Sequence, residues 1–167
     1  MMVCNGLLVA VTLLALVGCG TRSQSPQPQF SELSRDDVVR LDLQRAVAAS
    51  AAKARYGTVR LAKTKDDLPV LQRLIDDKVF AKTQTYELQC LGVAFGDVLT
   101  SDLPLRWVMV TDEYGTDPAL RLKSTTIQVN ALTMISKRIE RGDAVNLSEL
   151  FRINHEQVTQ IEKELAR

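Results

Sequence analysis

Three acidic residues crowd the stretch TDEYGTDP at 111–118: Asp112, Glu113 and Asp117. Two neighbouring carboxylates can divide general acid and base roles, or offer oxygen ligands to a hard cation. With Asp97 from the upstream stretch LGVAFGDVL, Asp112 and Glu113 make a candidate acidic site for a hydrolytic reaction. The same residues are also turn chemistry, because Asp bonds to nearby backbone, Gly115 permits positive φ and Pro118 fixes the exit. Consecutive side chains on a strand point to opposite faces, so Asp112 and Glu113 cannot both serve one substrate if a strand runs through them.

A second group is basic. Lys137, Arg138 and Arg141 lie in one predicted helix opposite Leu132, Ile135 and Ile139, and Arg121 and Lys123 lie on a preceding predicted strand. Together these five could form one anion-binding surface; a solvated face shared with Glu140 is the plainer alternative. His155, the single histidine, has no Cys or His at ligand spacing, so no metal site is expected. GxSxG, HExxH, P-loop and GxGxxG signatures are all missing from the sequence, and no cofactor is expected. With 21 basic and 20 acidic residues the formal net charge is +1, which argues against nucleic acid as a partner held by bulk charge.

These residues need elements to position them. Ser34 followed by Asp37 is an N-cap signature, and the helix it opens places Val39, Leu43, Ala46, Val47 and Ala54 on one face before Gly57. Thr64 to Asp67, with Pro69 close behind, starts a second helix whose stripe is Leu68, Leu71, Ile75 and Val79. A third, over 85–100, aligns Leu88, Leu91, Phe95, Val98 and Leu99, with Gly92 and Gly96 beside the stripe one turn apart. Two glycines inside a helix are unfavourable by about 1 kcal/mol each, which implies close approach of a neighbour there.

Beyond SDLP the pattern changes. LRWVMVTDEYG is rich in β-branched and aromatic residues and reads as a strand and turn, with Trp107 on its buried face. PALRLKS and TTIQV read as two more strands of an antiparallel meander. NALTMISKRIERG returns to helical period and stops at Gly142; Asn146 to Glu149 and Asn154 to Gln157 each resemble capping boxes, the second opening a last helix that buries Val158, Ile161 and Leu165. The order predicts an α+β fold: N-terminal helices, a small antiparallel sheet of about three strands, then C-terminal helices.

The N-terminus fixes where such a domain would work. Residues 7–17 are apolar apart from Thr12, too short a run to span a bilayer, and are followed by Gly18, Cys19 and the polar stretch TRSQSPQPQ. Leu16, Val17, Gly18 and Cys19 resemble the lipobox of bacterial lipoproteins, although residues 1–18 carry no Lys or Arg. That resemblance implies a signal peptide over 1–18, a lipid on Cys19, and, with Gly20 rather than Asp following it, sorting to the outer membrane with the domain facing the periplasm. Residues 19–32, rich in Ser, Gln and Pro, read as a flexible tether, leaving 33–167 as one domain. The same resemblance implies that Cys4 leaves with the signal and that the lipid consumes the Cys19 thiol, so Cys90 has no partner and reads as a small buried apolar residue.

Over about 66–151, the stretches LGVAFGDVL, LRWVMVTDEYGTDPALR and TMISKRIERGDAVNLSELF resemble a family of uncharacterised bacterial domains of unknown function. That resemblance implies a domain boundary and an α+β fold, and no substrate. The expectation for function is therefore a lipid-anchored, non-catalytic module that binds an envelope protein or glycan. A hydrolase using the acidic site, or an immunity-type lipoprotein that masks a toxin, are the alternatives.

Overall fold

The computed structural model describes residues 27–57 and 60–167. The expected signal peptide, the lipobox-like stretch with Cys19 and most of the expected tether lie outside them. The chain is α+β. Strand β1 (Gln29–Ser31) precedes helix α1 (Arg35–Tyr56), a 3-10 turn (Lys65–Asp67), α2 (Leu68–Asp76) and α3 (Thr85–Asp102). Strands β2 (Leu105–Asp112), β3 (Gly115–Leu122) and β4 (Gln128–Val129) follow, then α4 (Ala131–Met134), α5 (Ser136–Arg141) and α6 (Leu147–Leu165).

The helix α3 is the centre of the domain. Leu88 and every residue from Cys90 to Leu99 are buried, as expected of a helix apolar on nearly all sides and surrounded by others. The two glycines let the neighbours in. A Cβ on Gly92 would stand 2.3 Å from the Leu132 carbonyl oxygen, and one on Gly96 would stand 2.4 Å from the Trp107 ring. The close approach is therefore made by α4 and by a β2 side chain.

The sheet is an antiparallel meander in the order β1-β2-β3-β4, with Trp107 opposite Leu120 and Asp112 opposite Gly115. Alternation puts Leu105, Trp107, Leu120 and Leu122 toward the helices, while Val108, Val110 and Ala119 gather with Phe30 on the other face. Four strands stand where three were expected, because Gln29–Ser31, read as part of the tether, pairs with Met109, Val110 and Thr111 on the edge of β2.

Several helices differ from the sequence reading: the single helix expected to end at Gly142 is broken at Ile135 into α4 and α5, and α2 ends at Asp76, before Val79 of its expected stripe. Helix α1 starts at the expected capping box, the Ser34 hydroxyl accepting from the Asp37 amide and the Asp37 carboxylate accepting from the Ser34 amide. It buries Leu41, Gln44, Ala48 and Ala52 instead of the predicted stripe, and Val39 and Leu43 are 52% and 60% exposed. Asn154 opens no helix: α6 runs unbroken from its cap at Asn146, and the Asn154 amide is buried, donating to the Leu150 carbonyl at 2.7 Å. His155 thus lies in mid-helix, with Asp102 3.5 Å away, and Leu165 is exposed rather than buried.

Candidate functional site

Asp97 lies one turn before the C-terminus of α3, and three elements converge on it. Arg45 of α1 grips its carboxylate with two prongs, Nε to Oδ2 at 2.6 Å and Nη2 to Oδ1 at 2.8 Å. The Trp107 indole N–H of β2 donates to Oδ1 at 2.9 Å, and Lys63 Nζ stands 3.8 Å from Oδ2. A carboxylate offers about four lone-pair sites, and here three accept hydrogen bonds, with the Lys63 charge nearby. The pairing holds Arg45 protonated even more firmly than usual, chiefly through its hydrogen bond to Asp97. Asp97 is buried, so the arrangement serves as a polar cross-link between α1, α3 and β2.

Beside it is a cavity of about 300 Å³ floored by Ala46, Ala49 and Ala94. A second buried acid, Asp67, closes its rim. Its two oxygens accept the backbone amides of Ala62 and Lys63 at 2.9 and 2.6 Å, holding Lys63 in the left-handed region at φ 61°. Sequence reading missed Arg45, Lys63 and Asp67, because nothing local marks a basic residue of one helix as the partner of an acid 52 positions later.

The other two acids of the predicted site are elsewhere. Asp112 ends β2, five residues beyond Trp107, which puts it about 16 Å further along the strand. Its Oδ1 accepts the Tyr114 amide at 2.8 Å, an Asp-type turn, and Glu113 sits in the exposed loop beside the Tyr114 hydroxyl, whose pKa it raises. Asp97, Asp112 and Glu113 therefore do not form one acidic site.

The basic residues disperse as well. Arg121 lies over the Phe30 ring at 4.2 Å and donates to the Thr125 and Ser124 carbonyls. Lys123 pairs with Glu162 at 2.6 Å, Arg138 donates to the Met134 carbonyl at 2.7 Å, and Arg141 pairs with Asp143 at 2.8 Å. Lys137, on α5, lines a small cavity with Asp112 and Asp117 that includes neither Arg121 nor Lys123. No single anion-binding surface results.

The predicted α1 stripe does have a place. Leu43, Ala46, Val47 and Ala54 line an open groove with Phe80 and Tyr86, and Ala46 belongs both to this groove and to the cavity beside Asp97. No helix among the described residues is long and apolar enough to cross a membrane, and none of their His, Cys, Asp and Glu side chains cluster in threes to hold a metal ion.

Fold and surface define a small α+β domain with concave apolar surfaces and its central acid locked in a cross-link. The chain belongs to the family described as Domain of unknown function (DUF3806), whose model matches residues 67–151. No curated protein matches it. Among solved structures it is similar to a protein of Bacteroides thetaiotaomicron VPI-5482, with 14% identity and a TM-score of 0.69 over 80% of this chain and 50% of that one. The chain thus spans about half the length of that structure, and the likeness is one of fold.

Proposed function

We propose that the protein is a lipid-anchored component of the cell envelope, attached at Cys19 to the outer membrane and facing the periplasm, whose domain binds another envelope protein without catalysing a reaction. The observation that carries the binding reading is the uncovered apolar face of α1, where Leu43 is 60% exposed in one groove with Tyr86 at 49%, and Val39, one turn earlier, is 52% exposed. Large aliphatic side chains gathered on one face mark contact surfaces for other proteins. They match an apolar protein surface better than a hydroxyl-covered glycan, so a protein is the favoured partner. The engagement of Asp97 by Arg45 and Trp107 supports the same reading, because its carboxylate is committed to tying α1 and β2 to α3. The anchor rests on Leu16 to Cys19 of the sequence.

A photo-crosslinking residue at position 43 of the anchored protein, activated in living cells, tests the partner. One discrete adduct from position 43, with none from position 152 on exposed α6, is expected. Adducts of equal yield from both positions, or none from position 43, would overturn the contact face. Labelling with a radioactive fatty acid tests the anchor: wild type should take up label and Cys19→Ser should not.

A further inference from the structure

A larger cavity, of about 570 Å³, lies on a different side of α3 from Asp97, between α2, the loop after it, the N-terminal half of α3, and the α5–α6 connection. Its volume falls within the roughly 300–1,000 Å³ of small-molecule sites. Leu74, Ile75, Phe80, Leu91 and Ile139 give it an apolar lining. One wall is held by Gln72, whose amide donates to the Val145 carbonyl at 3.0 Å while its oxygen accepts the Leu147 amide at 2.8 Å. Every lining residue falls within the family-matched segment, so the cavity is built by that domain alone, without α1.

Its mouth is charged unevenly. Lys78 and Lys82 both line the cavity, and neither has a carboxylate oxygen within 4.0 Å among the described residues, whereas Lys63, Lys65 and Lys123 each do. Of the two acids at the rim, Asp143 is paired with Arg141 at 2.8 Å, and Asp76 accepts the Gln72 amide at 2.8 Å. Two uncompensated cations against one uncompensated anion leave the mouth positive. Lys78 is fixed at φ 51°, in the left-handed region that a Lys adopts only when the surrounding chain requires it.

We infer that this cavity binds an anionic amphiphile of the fatty-acid type, its carboxylate at Lys78 and Lys82 and its chain against Ile75, Phe80 and Ile139. Such a molecule complements both halves of the site: apolar burial supplies the affinity, and the unpaired lysines select the sign of the head group. The cavity shares Phe80 with the groove along α1, but Lys78, Lys82 and the rest of its lining lie outside that groove.

The test uses the full chain carrying Cys19→Ser, so that no acyl group of its own competes, and a dansyl-labelled undecanoate as probe. Saturable fluorescence enhancement is expected, displaced by dodecanoate at a concentration at least tenfold lower than by dodecanol. Lys78→Asn, which tolerates the left-handed backbone, combined with Lys82→Gln should weaken the probe about tenfold, the loss of roughly 1.4 kcal/mol of head-group pairing. Ala81→Trp, at an exposed position on the cavity wall, should abolish binding with an unchanged melting temperature. Absence of saturable enhancement, displacement by dodecanol as readily as by dodecanoate, or full binding by the double lysine variant would each overturn the inference.

Discussion

Arg45 and Asp97 form a two-pronged ion pair, at 2.6 and 2.8 Å, that ties the middle of α1 to the C-terminal part of α3. The bond also fixes the rotation of α1. With Arg45 turned to α3, Leu41, Ala48 and Ala52 follow it inward, and the more apolar stripe of Val39 and Leu43 is left outside.

Removing one partner should be costly. Asp97→Ala leaves Arg45 without its carboxylate and Trp107 without its acceptor, with an expected loss of about 3 kcal/mol, the low end for breaking a buried pair, because part of the guanidinium reaches solvent. Arg45→Ala should cost a similar amount, and the double variant less than the sum of the two, since the two residues share one interaction. Denaturant midpoints of the three variants measure this directly. Additive losses would show that the pair is not energetically coupled.

Gly92 gives a second stability prediction. With the Leu132 carbonyl 2.3 Å from where a Cβ would stand, even Gly92→Ala forces α3 and α4 apart, and a loss of about 1–3 kcal/mol follows from overpacking, outweighing the helix propensity gained. Gly92→Leu should lose at least as much. Thermal unfolding of Gly92→Ala at or above the wild-type temperature would contradict the contact.

Cys90 sets a dependence on pH. Burial pushes its thiol up to about 11 from an ordinary value of 9.0, so between those values the folded chain holds a proton that the unfolded chain releases. Its contribution is therefore complete below about pH 9 and declines as pH rises to about 11. Cys90→Ala should remove this decline while leaving a constant cavity cost. Stability of wild type and variant, compared at steps from pH 8 to 11, checks the sign; parallel profiles would exclude the thiol as its source.

Much of the fold is legible in the sequence because its signals are local. Ser34 and Asp37 mark a cap, Gly142 marks a stop with φ 84°, and the β-branched and aromatic residues from Leu105 to Thr111 mark a strand. The short strand at Gln29–Ser31 has no such signal: QFS becomes a strand only because β2 offers a free edge. The inward face of α1 is equally hidden, since Gln44 and Arg45 look like solvent residues until Asp97 is brought beside them. The candidate acids and bases were visible as residue types, whereas their grouping depended on distances along β2 and β3 that a list of charges does not contain.

Binding through α1, as proposed, and a reaction at the hairpin carboxylates make opposite demands on Leu43 and on Asp112 with Glu113. The most direct measurement is the cellular phenotype of a deletion strain complemented at matched protein abundance, in parallel, by Asp112→Asn with Glu113→Gln and by Leu43→Glu. The carboxylate variant should restore wild-type behaviour, and Leu43→Glu, exposed and therefore folded, should not. Restoration by Leu43→Glu together with failure of the carboxylate variant would contradict the proposed binding through α1.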